Sequence, residues 1–423
     1  MDVIIGAGLA GLSAAYHLDR QYRVFELESQ PGGLCRSKKI KGYTFDYAPH
    51  ILFTRDTYVK RLLEDLLKGN ISKHRRRAFI YLKDAYVEYP FEVNLNSLPK
   101  NIAEECIQGA ANRESISPNN FREWITSTFG EGIAKHYMVP YNAKIWKYPL
   151  EKIEISWISG RVPSPSVEEM KLGAEGKLVK DWGPNAEFMY PIEGGIGSLP
   201  QALATRVNDI EYNSNIFELK HEKGSMKIKY SVNDNIKTIE AERVLSSAPL
   251  PEIIEMIKDS PEEIHKAARS LVHNSLICVN LGIERSNISD KHWIYFPEDR
   301  FIFNRISFPM NFSDRTTPTG KSSVLAEVTF LGDKPNKADV LEKVIEGLIK
   351  ANILRDKEGI DVVDVETFKY AYVIYDQNHR RNVKLIHDYL NSIKITPMGR
   401  FGDWEYHNMD KAILSGKRAA EKS

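Results

Sequence analysis

Val3-Ile4-Ile5-Gly6-Ala7-Gly8-Leu9-Ala10-Gly11-Leu12-Ser13-Ala14-Ala15-Tyr16-His17-Leu18 stands at the head of the chain, and Tyr22-Arg23-Val24-Phe25-Glu26 comes after it. Val3–Ile5 predicts a short buried parallel strand, Leu12–Leu18 an apolar helix, and Tyr22–Phe25 a second strand ending at an acid. Gly6 permits the tight turn between strand and helix, and Gly8 lets backbone approach a pyrophosphate. Gly11 lets the helix lie close on the strand, with its partly positive N-terminus toward the phosphates. Glu26, twenty residues after Gly6, is placed to accept hydrogen bonds from ribose hydroxyls. A lone glycine triplet says little, but strand, glycines, helix, strand and acid in register specify a dinucleotide-binding α/β fold.

The rest of the composition narrows the setting. A chain of 423 residues suits two or three domains, with an ordinary 42% hydrophobic and 27% charged content. A formal net charge of +1 supplies no global field for nucleic acid or a membrane surface. Cys35, Cys106 and Cys278 are scattered and odd in number, which favours a reducing compartment over a disulfide framework or metal knuckle. No apolar run is long enough for a membrane span. With no basic leader at Met1, a cytoplasmic location is the default expectation.

The residues after Glu26 indicate FAD rather than NAD. Pro31-Gly32-Gly33-Leu34-Cys35-Arg36-Ser37 resembles the second glycine pair of the FAD-dependent amine-oxidase and phytoene-desaturase superfamily. Gly32 and Gly33 would let backbone lie along the extended cofactor, with Arg36 near phosphate or, alternatively, solvated. Gly399-Arg400-Phe401-Gly402-Asp403-Trp404, then Asn408-Met409-Asp410 and a helix over Lys411–Lys422, resemble the superfamily's second flavin signature. That resemblance places Arg400, Asp403, Met409 and Asp410 at the cofactor. A helix N-terminus there would stabilise negative charge on a reduced flavin.

These pieces imply a Rossmann-like FAD-binding domain that is discontinuous, over residues 1–72, 186–258 and 366–423. Residues 216–243 alternate like a three-strand meander with turns at Glu222-Lys223-Gly224 and Asn233-Asp234-Asn235. Two insertions separate the pieces: 73–185, largely helical, and 259–365, a strand-rich, antiparallel substrate domain that begins with a helix. Other motifs lead nowhere. Gly320-Lys321-Ser322 ends like a P-loop, but Arg315 stands where the first glycine belongs. Lys73-His74-Arg75-Arg76-Arg77 is too short for a nucleic-acid surface.

The middle of the chain carries a more specific resemblance. Ala85-Tyr86-Val87-Glu88-Tyr89-Pro90-Phe91, Pro140-Tyr141-Asn142-Ala143-Lys144-Ile145-Trp146, Trp157–Val162 and Tyr190–Gly197 resemble the eukaryotic-type UDP-galactopyranose mutases. Proteins of the protoporphyrinogen oxidase-like kind share several of these segments. The mutase resemblance implies Arg161 and Arg305 as a clamp on the diphosphate, a role suited to bidentate, permanently charged guanidinium groups. A surface salt bridge is the competing explanation, more so for Arg305 than for Arg161. Tyr89 and Phe91 fall where the family borders the uracil, although core packing explains an aromatic pair equally well. His50, in Tyr47-Ala48-Pro49-His50, matches a histidine beside the flavin, and Tyr406 a position near the sugar phosphate. His50, Arg161 and Arg305 are therefore the catalytic candidates, and Tyr89, Phe91, Arg161, Arg305 and Tyr406 the substrate-binding ones.

The implied activity is interconversion of the pyranose and furanose forms of a UDP-sugar, with the reduced flavin N5 as nucleophile and NAD(P)H as a candidate external reductant. Three departures complicate it. Phe312 and His379 stand where two family tyrosines reach the diphosphate, Ala48-Pro49 replaces a glycine pair, and the chain is shorter than the eukaryotic mutases. Each lost hydroxyl removes a hydrogen bond of about 1 kcal/mol. The alternative is an FAD-dependent oxidase or dehydrogenase of the amine oxidase or protoporphyrinogen oxidase type. A non-catalytic flavin module is the third class, and no interaction repeat recommends it. Neither enzyme reading calls for a metal.

Overall fold

The computed structural model describes residues 1–114, 116–158, 162, 165–177, 186–357 and 359–422. At its centre, strand Asp2–Ile5 is buried at every position and pairs in parallel with Tyr22–Phe25 on one side and Arg243–Ser246 on the other. Ile395–Pro397 and Ile210–Glu211 extend this parallel sheet to five strands. Strands buried on both faces need near-continuous apolar runs, which Val3-Ile4-Ile5 and Val244-Leu245 supply. Asp2, itself buried, is neutralised by Arg243 across the first strand pair at 2.6 Å.

Helix Leu9–His17 packs on the sheet and against the C-terminal helix Met409–Glu421. Backbone approaches are very close here. A Cβ on Gly11 would lie 1.9 Å from the Gly6 carbonyl oxygen, and one on Gly416 would lie 2.0 Å from that of Ala10. Ser13 Oγ donates to the Ile413 carbonyl at 2.7 Å and locks the two helices in register.

The predicted meander is present as strands Ser214–Glu222, Ser225–Val232 and Asn235–Ala241, a separate antiparallel sheet. Above the cofactor sheet lies a seven-stranded sheet ordered Ile360–Val373, His273–Ile283, Ser322–Phe330, Arg305–Ser307, Trp293–Tyr295, Ala78–Leu82, Ala85–Glu88. Its composition differs from the strand-rich domain expected over 259–365. Ala78–Leu82 joins it by pairing in parallel with Trp293–Tyr295, and residues 366–373 belong to its long edge strand. Such pairings across more than two hundred residues leave no trace in local periodicity. The helical layer comprises Lys100–Ala111, Phe121–Ile133, Val139–Trp146 and Val167–Ala174, with a π-helical turn Ala134–Met138. Its own core is built on Phe91, Phe121, Ile125, Phe129 and Tyr137. No described helix is long and apolar enough to cross a membrane.

Candidate functional site

A cavity of about 520 Å³ runs between the parallel sheet and the seven-stranded sheet. Its cofactor-sheet end is lined by Gly6, Gly8, Glu26, Gly32 and Gly33. Gly6 adopts φ +91°, and a Cβ there would lie 2.4 Å from Ser247 Oγ. Among the described residues no side chain caps helix Leu9–His17, and its N-cap Gly8 with Leu9 and Ala10 lines the cavity, so its backbone donors are available to phosphate. Glu26 accepts from the amides of Ala7 at 2.6 Å and Glu28 at 2.9 Å, and burial raises its pKa. These residues fit a dinucleotide: glycines where side chains would collide, an open helix end, and an oriented acid.

The other cofactor candidates divide. Arg400 and Met409 line the cavity. Arg400 lies 4.6 Å from the Tyr406 ring centroid and donates to the carbonyls of His407 and Ala371, and among the described residues its buried Nε has no hydrogen-bond partner. Asp403, Asp410 and Arg36 do not border the cavity. Asp403 accepts from Ser415 Oγ at 2.5 Å, and that hydroxyl accepts from the Gly399 amide at 2.9 Å, so it braces the turn beneath. Asp410 accepts from Thr54 at 3.2 Å. Arg36 donates to the Gly33 carbonyl at 2.8 Å and pairs with Glu28 at 3.0 Å. It shapes the glycine turn without facing the space.

At the far end the cavity is walled by His50, Trp293, Tyr295, Arg305, Phe312 and Tyr372, with Tyr406 beside them. Strand register explains the grouping. Tyr295 pairs with Arg305, and Arg305 with Glu327, across three adjacent strands, which sets the three side chains in one row. Glu327, 1% exposed, grips the Arg305 guanidinium through two hydrogen bonds, one of them 2.9 Å. A salt bridge is thus present, but it is not the surface pair that competes with the clamp reading: Glu327 is buried, and the half-buried Arg305 faces the cavity. Tyr406 stacks on Tyr372 at 5.7 Å and 10°. Burial pushes the phenols of Tyr295 and Tyr372 upward, so both remain hydrogen-bond donors.

His50 Nδ1 lies 2.7 Å from the Ala48 carbonyl, which makes Nδ1 the donor and leaves Nε2 unprotonated. Burial lowers its pKa to about 4. Between pH 4 and 6.5 an unfolded histidine binds a proton that this one refuses, so stability must rise with pH across that window. We expect the imidazole resonances to report a neutral His50 at about pH 6, and acid unfolding of His50→Gln to be less steep there than that of the parent. Equal slopes would remove His50 from the account.

Three expectations are corrected by the geometry. Phe91 is fully buried, stacked on Tyr137 at 4.8 Å in the helical core, and does not reach the cavity. Tyr89 sits behind the wall, 5.6 Å from Tyr295 and under Arg76. His379 lies away from the cavity with Nε2 bonded to the Trp404 carbonyl, so it is no replacement for a substrate-facing tyrosine. Phe312 does line the space, but Tyr295, Tyr372 and Tyr406 bring three phenols to it. Tyr295, Tyr372 and Glu327 were not foreseen. The spacing of short alternating strands around Arg305 was the available signal. Arg161 lies outside the described residues.

The comparisons agree with this architecture. Residues 9–422 match the family model described as flavin containing amine oxidoreductase. The chain belongs to that family. It is an FAD-dependent enzyme with the family's mixed α/β fold. A solved structure of reduced UDP-galactopyranose mutase is 26% identical with a TM-score of 0.93, covering 99% of this chain and 93% of that one. A provisional protoporphyrinogen oxidase from Exiguobacterium sp. 255-15 superposes with a TM-score of 0.78 at 16% identity, over 100% of this chain and 98% of its own, a likeness of fold alone. Coproporphyrinogen III oxidase of Bacillus subtilis (strain 168) is 19% identical over 92% of this chain and 90% of its own length.

Proposed function

We propose that this enzyme is a UDP-galactopyranose mutase-like isomerase, interconverting ring forms of a nucleotide sugar. The observation that carries the reading is the row Tyr295–Arg305–Glu327, with Tyr372 and Tyr406, on the same cavity as the dinucleotide cradle. The similarity to a reduced mutase over nearly the whole chain supports it. When bound, reduced FAD supplies a nucleophilic N5, and the hard chemistry is the cofactor's.

The protein's own part is to hold a diphosphate. Glu327 fixes the guanidinium plane of Arg305 but also offsets its charge. Arg400 has no carboxylate partner among the described residues, so the far end of the cavity, with Arg305, Glu327 and Arg400, keeps a net cation for an anionic group. The phenols add neutral donors whose geometry is set by ring packing. Arg161, by resemblance alone, would be a second clamp. His50, neutral with Nε2 as an acceptor, leaves that net positive charge unchanged.

The alternative is an oxidase of an apolar substrate. Trp293, Phe312, Phe368 and Phe401 also line the cavity, and the Bacillus subtilis relative is named as an oxidase. Anaerobic incubation with UDP-galactofuranose, with and without dithionite, separates the two. Conversion to the pyranose only after reduction is expected. No conversion, together with oxygen consumption on porphyrinogens or amines, would establish the oxidase.

A further inference from the structure

We infer that Tyr375, His379 and Arg380 form a tether that positions Tyr406 in the cavity and joins it to the segment Ile153–Trp157. The tether rests on a strained turn. Trp404, fully buried, has φ +54°, a left-handed conformation uncommon for a bulky residue. Such a backbone persists only where its surroundings over-determine it. Here they do. His379 Nε2 donates to the Trp404 carbonyl at 3.0 Å. Tyr375 hydroxyl donates to Glu405 at 2.7 Å and accepts from the Tyr406 amide at 2.6 Å. Arg380 pairs with the other Glu405 oxygen.

The same residues reach the other way. Arg380 binds Ser156 Oγ at 2.9 Å and Glu154 at 3.4 Å. The Glu154 amide donates to the Tyr375 carbonyl at 2.8 Å, Ile153 bridges to Asp376, and Trp157 stacks on the Tyr375 ring at 5.8 Å and 15°. Three stretches far apart in sequence therefore meet at one buried phenol. None of Tyr375, His379 or Arg380 lines the cavity, whereas Tyr406 does. They are positioning residues, acting through the residue that the turn delivers.

The inference rests on the nucleotide-sugar reading only for its choice of substrate. The test is a double-mutant cycle on the FAD-bound, reduced protein, with Tyr375→Phe, Tyr406→Phe and both together. Removing the Tyr375 hydroxyl strands a backbone amide and loosens Tyr406, so KM for UDP-galactofuranose should rise roughly tenfold with a smaller change in kcat. In the Tyr406→Phe background the same change should have little further effect. Arg380→Ala should act in the same direction, and Arg380→Lys should recover part of the loss. A Tyr375→Phe penalty equal in both backgrounds would mean general destabilisation and would overturn the tether. If the parent converts no UDP-sugar, the mutase reading fails separately. The cycle is then read on the visible absorbance of the bound flavin, whose cavity Tyr406 lines. Non-additive shifts uphold the tether, and a Tyr375→Phe spectrum identical to the parent's sinks it.

Discussion

Arg305→Ala is expected to lower stability by about 3–5 kcal/mol and, under the mutase reading, kcat/KM by roughly a hundredfold or more. The stability effect comes from Glu327. It is 1% exposed, and both its oxygens are bonded to the Arg305 guanidinium. Truncation leaves a carboxylate buried without its counter-charge, a far larger loss than the net worth of the pair. Arg305→Ala/Glu327→Ala should therefore regain much of the lost stability while remaining inactive on UDP-sugars. Arg305→Lys should be intermediate, since an ammonium cannot make the same two-pronged contact. Denaturant unfolding of the set, with turnover measured on each, separates scaffold from clamp. If the double variant is no more stable than Arg305→Ala, the buried pair is not the origin of the loss. If Arg305→Ala keeps full activity on a UDP-sugar, Arg305 does not hold the diphosphate.

Legibility in the residues alone tracks sequence distance. The first twenty-six residues carry their fold openly because strand, turn, helix and acid are consecutive, and each contact closes within one βαβ unit. Glu26 meets the Ala7 amide nineteen positions away. The Tyr295–Arg305–Glu327 row was not visible in this way. Its members lie on three short strands whose register is set by hydrogen bonding to neighbours, and a one-residue slip would have turned them to the other face. Phe91 shows the reverse error. An aromatic pair around Pro90 suggests a stacking platform, yet the strand ends at Glu88 and a short 3-10 helix begins at Phe91, which sends Phe91 into the helical core while Tyr89 packs behind the cavity wall. Because motif position carries no direction, it makes His379 look like a lost phosphate contact. In the folded chain it points at Trp404, where it supports a turn that no spacing rule anticipates.

Gly11→Ala and Gly8→Ala should both abolish flavin binding, but for different reasons that one pair of measurements can separate. At Gly11 the added methyl would sit 1.9 Å from the Gly6 carbonyl oxygen and 3.0 Å from its carbon. Those are backbone atoms at the tightest turn of the cradle and cannot swing aside. Overpacking costs about 1–3 kcal/mol in an ordinary core and occasionally more, and an immovable carbonyl places this case at the upper end. Helix Leu9–His17 cannot simply retreat, because Gly416 holds it from the other side with equally little room. Gly11→Ala should therefore lose fold stability and flavin together. At Gly8 the nearest protein atom to an added methyl is the Gly33 Cα at 3.9 Å, an ordinary contact. The methyl would instead project where pyrophosphate must approach the backbone. Gly8→Ala should fold with near-parental stability as apoprotein and yet purify colourless. Thermal unfolding of the apoproteins, alongside flavin absorbance after reconstitution, reads both quantities. A yellow Gly8→Ala protein with parental affinity for FAD would show that the phosphates lie elsewhere in the cleft. A Gly11→Ala protein as stable as the parent would show that helix and turn can part without cost, against everything their packing implies.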